Sequence, residues 1–300
     1  MSIIEKAAGR LDPSKGVAQP AIAPTAVVAE KVVIEVNVAP QIQKKDVSED
    51  IGKHNVKKVE IDLEQLQRLG MVTPDAARTT IAEEFRLIKR PLIEAAIGQK
   101  SKSTRHANLI MVASSLPGEG KTFCAVNLAI SIAMELDHTV LLVDADVARP
   151  SVQRYLQLKP EADPVKIGLM DILLDRKLDL ADAILKTNID TLSLLPAGRS
   201  HHKATELLAS QSMSALLDEI ANRYPDRIVI FDSPPLLLTT EARVLASQMG
   251  QIVLVVEAES TTQHAVKEVL RQLKSCSNIS LIYNKAKTLS NGDYYGQYYG

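Results

Sequence analysis

The sequence predicts an α/β fold in which a mostly parallel sheet carries helices on both faces. Two observations carry that expectation. From Ala107 onward, short apolar runs alternate with segments of helical periodicity. The runs are about five residues long and apolar throughout, as strands buried on both faces must be. In addition, several of the runs end in small or acidic residues, which places polar groups just beyond buried strands.

The elements follow in order. Ser2 to Leu11 reads as a short amphipathic helix with Ile3, Ile4 and Ala7 on one face. Asp12 to about Asn55 lacks sustained periodicity and is punctuated by Pro13, Pro20, Pro24 and Pro40, so it reads as a mobile linker. Within it, Val32 to Val38 has the composition of a short strand. Asp62 to Leu69 is a short helix closed by Gly70, and Thr73-Pro74-Asp75 opens a longer one, Ala76 to about Ile97, which Pro91 bends or restarts. Strands are expected at Asn108–Ala113, Thr139–Val143, Ile189–Leu194, Arg227–Phe231, Ile252–Val256 and Ile279–Tyr283. Helices are expected at Lys121–Leu136, Gln211–Arg223, Glu241–Gln248 and Thr261–Lys274. The resulting division is a helix and linker at 1–74, one domain at 75–285 and a flexible tail at 286–300.

Composition excludes several classes. The 300 residues carry 35 Lys plus Arg and 36 Asp plus Glu, a net charge of −1, which gives no bulk attraction to nucleic acid. The two cysteines, Cys124 and Cys276, exclude a disulfide scaffold and read as structural. No run approaches the roughly 20 apolar residues of a membrane span, and the N-terminus does not read as a secretory signal. His201 and His202 read as an exposed pair rather than a metal site, which needs further ligands. Aromatics are scarce at 3%, yet four of the seven tyrosines, Tyr294, Tyr295, Tyr298 and Tyr299, crowd the last seven residues. No helical or strand period there would bury them, so they read as acceptor hydroxyls or as a sticky aromatic tail.

The first strand runs into Ser114-Ser115-Leu116-Pro117-Gly118-Glu119-Gly120-Lys121-Thr122, and a helix follows. This strand–loop–helix order is that of a phosphate-binding loop, and it makes the expected fold a P-loop NTPase. Small residues let backbone N–H groups converge on phosphate, and the helix N-terminus adds positive potential. Lys121 would reach the β/γ-phosphates and Thr122 would ligate Mg²⁺. The usual first glycine is Ser115. Asp144 and Asp146 lie just past the second strand and Asp232 past another, at the edge where open α/β sheets bind ligands. Three carboxylates facing a triphosphate call for a cation with oxygen ligands, such as Mg²⁺. Asp144 or Asp146 alone could instead cap a helix beginning near Pro150.

Ser115–Thr122 resembles the Walker A motif of the bacterial tyrosine kinases of capsule and exopolysaccharide systems. Val140–Pro150 resembles their Walker A′ motif, Val229–Pro235 their Walker B motif, and the C-terminal tyrosines their autophosphorylated tail. Glu83-Glu84-Phe85-Arg86-Leu87-Ile88-Lys89 resembles the helix motif by which members assemble into rings, with Lys89 in place of its last arginine. Only Arg149 is basic where the family often has two basic residues, at Ala148 and Arg149. The opening Ser2–Ala7 resembles the exosortase-associated branch. The resemblance implies an ATP-dependent protein tyrosine autokinase using ATP and Mg²⁺, non-specific in its tyrosine acceptors. It implies nucleotide contacts at Gly118, Glu119, Gly120, Lys121, Thr122, Phe123 and Asn284, and Mg²⁺ ligation by Thr122, Asp144 and Asp232. It further implies that Asp146 takes the tyrosine proton, so that the catalytic set would be Lys121, Asp144, Asp146 and Asp232. It implies an oligomer contact at Glu83, Arg86 and Lys89. The implied partners are a transmembrane polysaccharide co-polymerase that activates the kinase, further copies in a ring, and a counteracting tyrosine phosphatase. The implied place is cytoplasmic, peripheral at the inner membrane.

Two other functions compete. One is a partition or septum-placement ATPase switch, but that class carries a lysine where this chain has Leu116. The other is an adaptor that binds nucleotide without turnover. Phosphorylation of four tyrosines would add about −6 to −8 charges, enough to drive the ring apart.

Overall fold

The computed structural model describes residues 57–75, 79–98, 104–158, 167–175, 177–224, 226–276 and 278–287. The expected helix at 2–11, the linker at 12–55 and the terminal tyrosines lie outside these residues. In chain order the elements are α1 (Leu63–Arg68), α2 (Thr80–Ile97), β1 (Leu109–Ser114), α3 (Lys121–Ala133), β2 (Thr139–Asp144), α4 (Val152–Tyr155), α5 (Leu169–Leu174) and α6 (Leu180–Ala183). There follow β3 (Leu185–Lys186), β4 (Leu192–Leu195), α7 (Ala204–Leu208), α8 (Gln211–Arg223), β5 (Arg227–Asp232), α9 (Thr240–Ala246), β6 (Gln251–Glu257), α10 (Gln263–Gln272) and β7 (Ile279–Asn284).

The seven strands form one sheet in the order β3-β4-β2-β5-β1-β6-β7. Every pairing is parallel except β3 with β4. The expected α/β architecture is therefore present. Alternation along β1 sends Leu109, Met111 and Ala113 into one core and Ile110 and Val112 into the other. The α5, α7, α8 and α9 side chains fill the first core. The second is built on α3, which is apolar nearly all round because α2 covers the face turned away from the sheet. Helix α2 starts at its cap Thr79, whose side chain accepts from the Ala82 N–H, and runs through Pro91 as one helix.

Two expectations move. The core takes in residues upstream of the expected boundary at 75: Val59, Ile61, Leu66, Met71 and Val72 are all buried. Val59 N–H donates to Lys186 O at 2.8 Å, and Val72 N–H donates to Asn127 Oδ1 at 2.7 Å. Apart from the expected short helix, present as α1, their apolar residues are few and irregularly spaced, so no periodic signal ties them to the domain. The strand expected at Ile189–Leu194 is Leu192–Leu195, because Asn188–Thr191 forms the turn from β3.

Candidate active site

Strand β1 delivers the loop 115–120 to the carboxyl edge of the sheet. Gly118 at φ 89° and Gly120 at φ 96° take left-handed conformations that other residues resist. The N–H groups of Leu236 and Leu237 hold Ser114 O and Ser115 O at 2.9 and 3.2 Å, so the loop closes with Ser115 in the glycine position. Gly120 caps α3, and Lys121 and Thr122 open that helix.

Neighbouring strands β2 and β5 pair Asp144 with Asp232 in register. Thr122 Oγ1 donates to Asp232 Oδ2 at 2.7 Å and lies 3.1 Å from Ser151 Oγ. The Lys121 ammonium sits 3.0 Å from Asp146 Oδ2 and 3.8 Å from Asp232 Oδ1. The structure thus brings Lys121, Thr122, Asp144, Asp146 and Asp232 together. Burial alone would lower the Lys121 pKa, but the Asp232 and Asp146 carboxylates outweigh it and hold it above its ordinary value. Burial pushes Asp232 up to about 7 against the pull of Lys121 and the Thr122 hydroxyl. Burial also pushes Asp144 up to about 6, against donation from the Val152 and Ser151 N–H groups.

The capping alternative for Asp144 is realised by one oxygen. Its Oδ2 accepts from the Ser151 and Val152 N–H groups at 2.9 and 3.0 Å, at the start of α4. Its Oδ1, like Asp232 Oδ1, is buried without a hydrogen-bond partner. Two orphaned carboxylate oxygens beside the Thr122 hydroxyl are a hard-oxygen donor set, which fits Mg²⁺. Among the described residues no group of three or more His, Cys, Asp or Glu could hold a metal, so substrate oxygens and water would complete its shell.

The other expected contacts divide. Asn284 reaches the loop: its Nδ2 donates to Glu119 O at 2.8 Å. A Cβ on Gly120 would fall 2.1 Å from that nitrogen. The Glu119 carboxylate accepts from Leu116 N–H, within the loop itself, and from the Thr261 hydroxyl. The Phe123 side chain packs with the second core and lines a pocket with Leu69, Met71 and Tyr155, so only its backbone is available to the loop. Ser151, Thr261 and Lys285, which sequence reasoning missed, touch site residues through hydroxyl or amine groups. They belong to no motif, and their spacing carries no signal.

Residues 107–285 match the family described as an AAA domain. The tyrosine-protein kinase YwqD of Bacillus subtilis is 32% identical over 221 residues, 73% of this chain and 86% of its own length. The chain belongs to the bacterial tyrosine-kinase family. The succinoglycan biosynthesis transport protein ExoP of Rhizobium meliloti is 31% identical over 256 residues, 79% of this chain but 30% of its own length. Among solved structures, the VpsO kinase domain superposes with a TM-score of 0.54 at 26% identity, covering 70% of this chain and all of that domain, 100%.

For this kinase-family chain the ring motif needs one correction. Arg86 and Glu83 are half-exposed and ion-paired at 2.6 Å on the outer face of α2. Lys89 is buried, and its ammonium is held by Ser131 O and Glu135 Oε1, both at 2.6 Å. It tethers α2 to α3 and is not a surface contact, because it lies one turn on from Phe85, on the stripe Phe85, Lys89, Leu92 and Ala96 that α2 buries. Cys124 is buried with its thiol pushed by that burial up to about 12, which makes it structural.

Proposed function

We propose that this chain is an ATP-dependent protein tyrosine autokinase that phosphorylates Tyr294, Tyr295, Tyr298 and Tyr299 between subunits and so regulates exopolysaccharide or capsule biosynthesis and export. One observation carries the reading. Strand β7 runs parallel to β6 and ends at Asn284, hydrogen-bonded to the phosphate loop, so the chain enters its tyrosine-bearing tail from the active-site edge. The seven Cα–Cα steps from Lys287 to Tyr294 span up to ~24 Å, which lets the tail extend toward a neighbouring subunit.

The chemistry follows from the cluster. A tyrosine hydroxyl has a pKa near 10 and needs its proton removed as it attacks. The tyrosine oxygen forms a bond to the γ-phosphorus, the bond from that phosphorus to the leaving ADP oxygen breaks, and the proton passes to Asp146. Lys121, already between Asp146 and Asp232, offsets charge on the transferring group. Mg²⁺, held by Thr122, Asp144 and Asp232, supplies further charge neutralisation when bound. Gly118, Gly120 and the Phe123 N–H cradle phosphate, and Asn284 faces the base.

The activator in this reading is a separate transmembrane polysaccharide co-polymerase. Among the described residues no helix is long and apolar enough to cross a membrane. The kinase then works from the cytoplasm, peripheral at the inner membrane. It forms a ring through Glu83 and Arg86 when unphosphorylated, and a tyrosine phosphatase resets it. The test is incubation with Mg-ATP, intact-mass measurement and phosphosite mapping, with Lys121→Met as control. The expected result is covalent phosphate on the terminal tyrosines of the wild type alone. Phosphate release with none retained would mark a partition-type switch. Nucleotide binding without turnover would mark an adaptor.

A further inference from the structure

A loop that turns its N–H groups inward onto phosphate turns carbonyls outward, and those carbonyls need donors. Here the donors come from the far end of the chain. Gly118 O accepts from the Lys285 ammonium at 2.8 Å, next to Glu119 O on Asn284 Nδ2. Lys285 also pairs with Glu257 Oε1 at 3.0 Å. It holds a left-handed backbone at φ 57°, a conformation a non-glycine residue keeps only where its surroundings hold it there.

Glu119 poses a second problem. The residue is 3% exposed, in the middle of a loop that is to bind an anion. A buried carboxylate there repels phosphate and is costly unless its oxygens are satisfied elsewhere. Both are satisfied. Oε2 accepts from Leu116 N–H at 2.9 Å, and Oε1 accepts from the Thr261 hydroxyl. That hydroxyl in turn accepts from Glu257 N–H at 3.0 Å.

We infer that Thr261 and Lys285 are positioning residues for the phosphate loop. They act on nucleotide through Glu119 and Gly118 and touch no nucleotide themselves. Thr261 turns the Glu119 charge away from the phosphates, and Lys285 fixes the Gly118 peptide with its N–H inward. The inference rests on residues 115–122 being the nucleotide phosphate site and not on which hydroxyl receives phosphate.

The test is Mg-ADP binding by calorimetry on the full chain, with melting temperature measured without nucleotide. Thr261→Val keeps the shape and removes the hydroxyl, and Lys285→Met removes the ammonium. Each weakens binding by about five- to tenfold, less than the roughly tenfold or more that a hydrogen bond to a charged group is worth, because these residues act on nucleotide only through the loop. Thr261→Ser and Lys285→Arg restore affinity to within about twofold, which a general loss of stability would not allow. Unchanged ADP affinity in both Thr261→Val and Lys285→Met overturns the inference while leaving the proposed function intact. So does a loss that follows melting temperature and that the conservative variants fail to rescue. Failure of the wild-type chain to bind ADP overturns the reading of the loop itself.

Discussion

Lys89→Met separates a structural tether from an oligomer contact. Helix α3 ends at Ala133, so the Ser131 carbonyl lies in its last turn, where intrahelical donors run out. The Glu135 N–H that would reach it bonds Ile132 O instead, and the Lys89 ammonium takes its place at 2.6 Å. Hydrogen bonds to charged groups contribute about 1.5–3 kcal/mol. Methionine fills much the same volume, and the half-exposed Glu135 returns to water, so the net loss is near the lower part of that range, about 2 kcal/mol. For a domain of this size that lowers the melting temperature by about 4–8 °C. Donation from Lys89 holds the Glu135 carboxyl below its ordinary value of 4.5, against a smaller burial effect. A depressed pKa contributes stability above the unfolded value that fades as pH falls through the folded one, so the gap between variant and wild type narrows in acid. Arg86→Met is the control, since its exposed pair is worth about 0.5 kcal/mol or less. The assay is thermal unfolding over a range of protein concentrations, with sedimentation for assembly state. A Lys89→Met chain melting within about 1 °C of wild type would refute the reasoning. So would a deficit confined to concentrations at which the chain associates.

Two further predictions concern buried polar groups. Burial raises Asp144 to about 6 and Asp232 to about 7 from 3.8, so the folded state keeps protons that the unfolded chain has lost. Stability of the protein in EDTA therefore falls as pH rises from about 4 to 7, and Asp232→Asn flattens that fall in urea titrations at pH 5 and pH 8. The lowered carboxyls such as Glu268, at about 2, titrate below this window. Asn127→Leu leaves the Val72 N–H without its 2.7 Å partner, at a cost of about 1–3 kcal/mol. Faster hydrogen exchange at Val72 than at the β1 amides checks it, and equal protection in variant and wild type would count against it.

The legible parts of the molecule are those whose cause lies within a few residues. Helix α8 begins after Ser210, whose side chain accepts from Met213 N–H, and its expected bounds are those observed. The loop at 115–122 and the acids at 144, 146 and 232 stand out because a phosphate loop and strand ends are contiguous features. The short α4, α5, α6 and α7 gave no period long enough to read, since four to six residues complete little more than one turn. Phe123 reads as part of the loop motif, yet its ring belongs to a neighbouring pocket, because the motif constrains the backbone and not that side chain.

By itself the sequence determined the α/β alternation, the phosphate loop and the residues that reach the sheet's carboxyl edge. These follow from backbone periodicity and from the small residues a tight loop requires. Tertiary structure alone decided what those residues touch. It set Asp144 beside Asp232 through the β2–β5 register and committed Lys89 to α3. It brought Thr261 and Lys285 to a loop 142 and 167 residues away. Those contacts depend on the strand order, which sets β1 beside β6 and β6 beside β7, and no local pattern in the chain encodes that order.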